Sequence, residues 1–388
     1  MNQDKYVFSQ VVEFLNRNKF NRLVQKYNGD HYIKHYSCYN QLVTLIFGQL
    51  SRSESLGDVV IALQAHGSKC YHLGVGKHVS RSNLAKANEQ RDCRIFEEFA
   101  YYMIEQAKQK FANNTPIAVD IYAYASTTIY LCITLFDWAK FRRAKGGIKV
   151  HTLFDIATGI PTFVYITEAK VNDVNAMDEI PYQAGSFYIF DRGYNDFSRL
   201  FTIHKLDAIF IVRGKKNVKF KRISWKQKLQ DNILSDSIIH FAGYYQEKDY
   251  PEKLQLVKYW DKEKQREFIF LTNNFDLTAL EIAELYRQRW QIELFFKWMK
   301  SHLKIKHFYG TSFNAVKTQI YVAIITFCLV VIIKYDMKLY LTTYEILHIL
   351  SISLISKTHL RDLLDKTNFQ NDKERLDSSE PLLFNLNF

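Results

Sequence analysis

The sequence has few cysteines, and their positions suit neither a metal site nor a disulfide framework. The five are Cys38, Cys70, Cys93, Cys132 and Cys328. They are widely separated and odd in number, and no two form a Cys-x-x-Cys pair. This pattern argues against both disulfide cross-links and a cysteine zinc site, so we expect a protein of a reducing compartment.

The chain also lacks a long uninterrupted apolar segment. Its first five residues are polar and show no apolar signal region. The most apolar run, residues 320–333, is shorter than the roughly 20 residues that a helix needs to cross a membrane. We therefore predict a buried core helix there, no membrane partner and a cytoplasmic location.

Positive charge, by contrast, is plentiful. The 388 residues include 52 Lys and Arg against 40 Asp and Glu, which gives a net charge of +12 spread along the chain. Such a field favours a polyanion, and nucleic acid is the expected partner. A length of 388 residues with 47% apolar and 24% charged content predicts two or three folded domains.

Residues 1–112 have the periodicity of helices and are predicted to form a helical DNA-binding domain. A helix, a Gly-containing turn at residues 72–76 and a second helix opening near Arg81 are compatible with a helix-turn-helix reader. Arg81 would then contact DNA. Small helical domains often show this pattern without binding DNA, so both interpretations stay open.

Strand patterns begin after residue 113. Residues 113–213 contain short β-branched and aromatic runs, and the apolar run 187–190 is typical of a buried central strand that ends at Asp191. Residues 214–276 predict a β-rich insertion, residues 277–340 the second part of the core, and residues 341–388 a helical region and tail. This order predicts an α/β fold, a ribonuclease-H-like core with a β-rich insertion preceded by an all-helical amino-terminal domain.

A predicted helix within 277–303 carries the most informative pattern. At 100° per residue, Tyr286, Arg289, Glu293 and Lys300 fall almost on one line. A carboxylate among groups that bind phosphate suits a metal-dependent enzyme acting on nucleic acid. The alternative is a solvated helix with an ordinary Arg-Glu pair four residues apart.

Asp191 is the second candidate acid. Phosphodiester chemistry is well served by two divalent ions held by a few converging carboxylates, and Mg²⁺ needs only two to four of them. Asp191 follows an apolar strand, where it could act as a ligand. It could equally cap the next helix.

Spacing and local sequence together resemble a known family. Tyr286, Arg289, Glu293 and Lys300 match the Tyr-(2)-Arg-(3)-Glu-(6)-Lys signature of the insertion-sequence-four family of bacterial DDE transposases. The segment 190–197 resembles the one that carries the family's second catalytic Asp. Segments 126–129, 138–142 and 145–153 are similar to its first core segment, and the resemblance extends to about residue 335.

The resemblance implies roles for individual residues. Asp191 and Glu293 would be the second and third catalytic acids and would bind Mg²⁺ or Mn²⁺. Tyr286, Arg289 and Lys300 would hold transposon-end phosphates, with Arg192 as a further DNA contact. Trp298, like Trp290, would either stack on an extruded base or belong to the core.

The same resemblance implies the partners and the reaction. A bacterial, nucleoid-associated transposase would bind the terminal inverted repeats of an insertion sequence, as a homodimer on double-stranded DNA. It would catalyse strand cleavage and transfer at transposon ends and target.

The sequence departs from the family at the first acid. That position, immediately before the Ser-Thr-Thr-Ile segment, is Ala125. Asp120 is the nearest upstream candidate, but an offset of five residues puts it on the opposite face of a regular strand unless a β-bulge intervenes. Asp137 and Asp155 are other possible donors, and a hairpin turn explains Asp155 better.

Three hypotheses follow. The chain is an active transposase whose site is completed by Asp120 or another group, or a disabled relative that only binds transposon ends. A third is a host nuclease of the same fold.

Overall fold

The computed structural model describes residues 5–76, 79–112, 119–132, 134–142, 145–303, 305 and 308–365. Its helices are α1 (Val7–Val12), α2 (Arg17–Lys26), α3 (Cys38–Leu50), α4 (Leu56–Gln64), α5 (Arg81–Gln90), α6 (Arg94–Ala112), α7 (Phe197–Lys205), α8 (Tyr244–Asp249), α9 (Ala279–Gln288), α10 (Trp290–His302), α11 (Phe313–Asp336), α12 (Thr343–Ser353) and α13 (Leu360–Asp365). Its strands are β1 (Ile121–Leu131), β2 (Lys140–Arg142), β3 (Lys145–Asp155), β4 (Ile160–Glu168), β5 (Phe187–Phe190), β6 (Ile209–Arg213), β7 (Phe220–Trp225), β8 (Ile233–Phe241), β9 (Leu254–Asp261) and β10 (Arg266–Thr272).

The chain divides into two compact units. The first contains residues 1–116, 129–146 and 296–388, and the second contains residues 117–128 and 147–295. Residues 296–340, which we predicted to lie in the core, therefore group with the helical unit. The reason is that α11 packs against α6 and α3, which come from the other end of the sequence.

Helix α11 is the centre of the first unit. It is long and apolar enough to cross a membrane, yet 94% of its most apolar window is buried within the protein. The predicted core helix at residues 320–333 is thus present as a buried helix. Its apolar side chains all face protein, which explains why the helix shows no polar stripe.

A single asparagine ties the start of α11 to the turn between α5 and α6. The Nδ2 of Asn314 donates hydrogen bonds to the carbonyls of Asn88, Glu89 and Arg91, at 3.0, 3.3 and 2.6 Å. Its Oδ1 accepts one from the backbone N–H of Cys93 at 3.0 Å. These four bonds satisfy backbone groups at the end of α5 and the start of α6, positions that a helix leaves unpaired.

The second unit is built on a twisted sheet. Its strands run in the order β3-β1-β5-β6-β10-β9-β8-β7, with β4 beside β3. Strand β2 pairs with Lys145 and Gly146, and all of these residues belong to the first unit. Strands β1, β5 and β6 are parallel, and β10, β9, β8 and β7 continue antiparallel from β6. The predicted β-rich region thus extends the central sheet through β10, which supplies hydrogen-bond partners to β6.

Both faces of this sheet are covered. On one face, Tyr124 and Phe190 lie in a cluster with Leu200 of α7. On the other, Ile211 of β6 packs with Ile282 of α9. Because side chains alternate along a strand, each residue's face can be read from its neighbours.

Candidate active site

Asp191 lies at the carboxyl end of the parallel strands. The apolar strand β5 is as predicted, and Asp191 follows it in an extended conformation with φ −75° and ψ 170°. Its Oδ1 accepts a hydrogen bond from the N–H of Arg192 and so caps the 3-10 turn at residues 192–194, whereas the next helix, α7, is capped by Asp196. Since Phe190 faces the α7 side, Asp191 faces the α9 side of the sheet.

The helix predicted over residues 277–303 is divided into α9 and α10 at Arg289. Helix α9 begins with a capping box, in which the Thr278 hydroxyl accepts from the Glu281 N–H while the Glu281 carboxylate accepts from Thr278. Arg289 caps the end of α9, and its carbonyl accepts from the N–H of Ile292 at 3.2 Å. Glu293 therefore lies in the first turn of α10.

The pair formed by Arg289 and Glu293 is the centre of the candidate site. Arg289 Nη1 lies 3.2 Å from Glu293 Oε1, with 12% of the Arg289 side chain and 39% of the Glu293 side chain exposed. Burial lowers the pKa of Arg289, but Tyr286, Asp191 and Glu293 outweigh it and hold the pKa above its usual value. The predicted residues Asp191, Tyr286, Arg289 and Glu293 are therefore brought together.

Tyr286 is held between the sheet and this pair. Its ring lies 4.6 Å from that of Phe270, centroid to centroid, and 5.9 Å from the Arg289 guanidinium. Burial raises the pKa of Tyr286, and Asp191 raises it further, against the opposing effect of Arg289 and Arg213. The phenol is thus neutral at ordinary pH and can donate a hydrogen bond.

Arg213 is a member of this group that the sequence analysis missed. Because Phe190 pairs with Val212 in parallel register, Arg213 lies level with Asp191 one strand along. Its guanidinium lies 4.7 Å from the centroid of the Phe268 ring. A charged residue at the end of the apolar run 208–212 was the available signal, and it matches the pattern that singled out Asp191.

Ala125 lies directly beside Asp191. The parallel register pairs Tyr122 with Tyr188 and Tyr124 with Phe190, so the next residues along the two strands are Ala125 and Asp191. Tyr124 faces the α7 side, and Ala125 therefore faces the same side as Asp191. Ala125 is 5% exposed.

The structure does not bring Asp120 to this group, which corrects the prediction that it completes the site. The carbonyl of Asp120 accepts from the N–H of Phe187, at the opposite end of β5 from Asp191. Five residues of strand separate Asp120 from Ala125, roughly 16 Å. Strand β1 runs unbroken through residues 121–131.

The other acids considered also lie elsewhere. Asp155 is fully buried in the β3–β4 turn, where its Oδ1 accepts from the N–H groups of Ala157 and Thr158, as the turn interpretation predicted. The N–H of Ile156 bonds to the carbonyl of Ile121, so this turn lies at the start of β1. The side chain of Asp137 lies outside the described part of the structure.

A separate polar cluster lies on the α7 side of the sheet. Asp173 Oδ1 accepts from Ser126 at 2.7 Å, and lies 3.2 Å from Lys149 Nζ and 3.8 Å from His151 Nδ1. His151 is fully buried and its Nε2 lies 2.9 Å from the Thr167 hydroxyl. Burial lowers the pKa of His151 to about 4, with Asp173 opposing and Lys149 assisting.

The remaining predicted DNA contacts have different surroundings. Arg192 is exposed beside Asp191, and Arg81 is exposed at the first position of α5, after the Ser80 cap. Lys300 is half-buried in α10, two helical turns after Glu293.

Trp298 is a core residue, which corrects its predicted stacking on DNA. It is 5% exposed, and its ring lies 5.1 Å from that of Phe327 and 5.6 Å from that of His302. A base would have to displace these rings to stack on it. Trp290, by contrast, is 59% exposed at the start of α10.

The candidate site offers few ligand side chains for two divalent metal ions. In the part of the chain that the structure describes, no three Asp, Glu, His or Cys side chains are grouped to hold a metal ion. Asp191 and Glu293 are the two carboxylates that face the same region, and Glu293 is already paired with Arg289.

A second surface of interest follows the edge strand β7. Residues 213–228 contain eight Lys and Arg and no acidic residue. Residues 221–230 are all exposed, and Trp225 is 61% exposed with the Arg222 guanidinium 5.9 Å from its ring centroid. We call residues 213–228 the basic edge.

One lysine of the basic edge differs from the others. Lys226 Nζ lies 2.9 Å from Asp236 Oδ2, and Asp236 is 5% exposed. Gln255 donates to the other oxygen of Asp236 at 2.8 Å. Lys226 therefore neutralises a buried carboxylate, whereas its neighbours project into solvent.

Comparison with known families identifies the family to which this chain belongs. Residues 123–329, more than half of the chain, match the family model of the transposase DDE domain. The chain belongs to the DDE transposase family. Residues 3–76 match a model described as a domain of unknown function.

Three relatives carry transposase names. The chain is 32% identical to transposase y4zB of Sinorhizobium fredii over 63% of this chain and 69% of that protein. It is 25% identical to a transposase of element IS5377 of Geobacillus stearothermophilus, over 64% of this chain and 66% of that one. It is also 25% identical to a transposase of element IS4SA of Synechocystis, over 65% of this chain and 71% of that protein.

Among solved structures, the piggyBac transposase in a synaptic complex with hairpin DNA is similar to this chain. The alignment covers 96% of this chain and 82% of the piggyBac chain. The TM-score is 0.49 and the identity 11%.

Proposed function

We propose that this DDE transposase binds the terminal inverted repeats of an insertion sequence and belongs to the machinery that cuts and joins them. The observation that supports this most directly is the grouping of Asp191 and Glu293 with Arg289 and Tyr286, inside the matched DDE domain. Cations and a phenol around two carboxylates suit a phosphodiester that approaches a metal-dependent site.

The finer family assignment is part of this proposal. Tyr286, Arg289, Glu293 and Lys300 have the spacing of the insertion-sequence-four signature, and all four lie on α9, its cap or α10. The ribonuclease-H-like core is also part of the proposal, and it is supported by the order β4-β3-β1 followed by parallel β5 and β6, with a helix on either face of the sheet.

The proposal gives each residue a role that its exposure permits. Asp191 and Glu293 would be ligands of Mg²⁺ or Mn²⁺, the ion that supplies Lewis-acid activation in this chemistry. Arg289 orients Glu293 through their ion pair, and Arg192 would contact a phosphate beside Asp191. Lys300 would contact a further phosphate of the transposon end.

Two further elements would bind DNA away from the acids. Arg81 at the start of α5 would contact DNA in the helical unit, as the helix-turn-helix interpretation predicts. The basic edge would lie along a phosphate backbone, because all of its cations except Arg213 are exposed and no acid interrupts them in the sequence. For base stacking, Trp290 and Trp225 have exposed rings, unlike Trp298.

The partners implied are double-stranded DNA of the transposon ends and target, with a homodimer joining two ends. We infer a cytoplasmic, nucleoid-associated bacterial protein, in agreement with the bacterial sources of its relatives.

A gel-shift titration tests the proposal. Duplexes carrying the element's own terminal repeats should bind more tightly than duplexes of the same composition in shuffled order, at fixed salt. Equal affinity for both would leave a general DNA-binding protein and would contradict the proposed recognition of transposon ends.

A further inference from the structure

The position of Ala125 has a chemical consequence. It is the residue level with Asp191 on the neighbouring parallel strand, and both face the side on which α9 packs. Adjacent strands lie about 4.8 Å apart. A carboxylate at position 125 and the carboxylate of Asp191 could therefore share one ion, since Mg²⁺–oxygen distances are about 2.0–2.1 Å.

No other candidate acid among the described residues takes that place. Asp120 and Asp155 lie at the opposite end of β1. Asp173 lies on the other face of the sheet, where it accepts a hydrogen bond from Ser126 and pairs with Lys149.

The charge of the site also disfavours a divalent ion. Asp191 and Glu293 contribute two negative charges, while Arg289 pairs with Glu293 and Arg213 lies level with Asp191. Two carboxylates against two guanidinium groups leave no net negative charge to attract a cation. A third carboxylate would supply one.

We propose that Ala125 replaces the first acid of the DDE site, so that this transposase binds DNA ends but does not cut them until a carboxylate is restored at position 125. The inference rests on the proposed function for its DNA partner. The inference about metal binding does not depend on DNA, because metal affinity is a property of the protein alone.

The test compares wild type with Ala125→Asp and Ala125→Asn. Asparagine has the shape of aspartate without its charge, so it controls for packing at this buried position. Mn²⁺ affinity is measured without DNA by electron paramagnetic resonance, and nicking is measured on labelled duplexes carrying the terminal repeats. Thermal unfolding shows whether each variant is folded.

Ala125→Asp should bind Mn²⁺ more than about tenfold more tightly than wild type, because even groups outside the first coordination shell change metal affinity by that much. It should also gain nicking at the transposon end. Ala125→Asn should gain neither. A folded Ala125→Asp protein with unchanged Mn²⁺ affinity would overturn the inference.

Wild type supplies an independent test if the aspartate variant does not fold. Wild type itself should nick no duplex carrying the terminal repeats and should bind Mn²⁺ no more tightly than Ala125→Asn does. Mn²⁺ binding or end cleavage by wild type that Glu293→Gln abolishes would show a competent site and refute the proposal. If Ala125→Asp gains Mn²⁺ binding while no variant binds the terminal repeats, the proposed function fails and the inference about the metal site stands.

Discussion

Neutralising the basic edge should weaken DNA binding by an amount that its exposed charges set. The substitution combines Lys221→Gln, Arg222→Gln and Lys228→Gln, three exposed positions of residues 213–228. Lys226 is left in place because its removal would strand the buried carboxylate of Asp236, and a loss of stability would then confuse the result.

The magnitude follows from counterion release. Each phosphate contact contributes about 0.9 to the slope of log affinity against log salt concentration, so three contacts should reduce the slope by up to about 2.7. At 0.15 M salt each contact is worth roughly a fivefold change in affinity on the same relation, and the triple variant should bind on the order of 100-fold more weakly. The loss should be similar for specific and shuffled DNA, because phosphate contacts carry no sequence information.

A matched triple variant separates contact from net charge. Lys248→Gln, Lys253→Gln and Lys262→Gln remove three exposed lysines from the same unit, but these alternate with acids in the sequence. Both triples lower the net charge from +12 to +9, since 12 − 3 = 9. Fluorescence anisotropy across a salt series gives both slopes. Equal loss in the two triples would mean that the overall field, and not the basic edge, holds the DNA.

The remaining predictions concern stability and stacking. Trp298→Ala should lower the free energy of unfolding by about 3–5 kcal/mol, as measured by urea unfolding. Trp290→Ala should weaken DNA binding in a gel shift and leave the free energy of unfolding unchanged. The reverse pattern would contradict the assignment. Asn314→Ala should lower the free energy of unfolding by about 2 kcal/mol. Asn314→Asp should lower it at least as much, because a carboxylate would face three carbonyl oxygens. An aspartate variant as stable as wild type would contradict this role. Because the pKa of His151 is lowered from 6.5 to about 4 in the folded protein, the free energy of unfolding is highest above pH 6.5 and decreases as pH falls toward 4, by up to about 3 kcal/mol. His151→Gln should make the free energy of unfolding less dependent on pH over that range, whereas His359→Gln, a control at an exposed position, should not.

The parts of the fold that were predictable depend on local pattern. Strand β5 and its terminal Asp191 were found because four apolar residues before an acid make a buried strand end, whatever surrounds it. The α10 face with Glu293 follows in the same way from helical periodicity. Both acids were therefore identified without knowing how strands pair.

The parts that were missed depend on pairing between distant segments. Asp120 was a reasonable candidate from spacing, but only the β1–β5 register shows that it lies beside Phe187 and that Ala125 lies beside Asp191. The sequence left Trp298 open between a stacking role and a core role, and the contact of its ring with Phe327 of α11 shows that it belongs to the core. No local pattern contains these contacts, since tertiary packing determines burial.

The two activities of a DDE transposase make different demands on its sequence, and Ala125 illustrates the difference. Phosphate binding is a sum over many cations, such as those of the basic edge, so loss of one contact lowers affinity by only a small factor. Metal binding requires that a few oxygens converge within about 2 Å of one point, so loss of one ligand removes a large part of the affinity at once. One substitution in β1 can thus abolish cutting while the sheet, the Arg289–Glu293 pair and the basic edge are retained. If Ala125 stands at the first-acid position, as we propose, end binding and end cutting are separable properties in this chain, and a carboxylate at position 125 is the chemical difference between them.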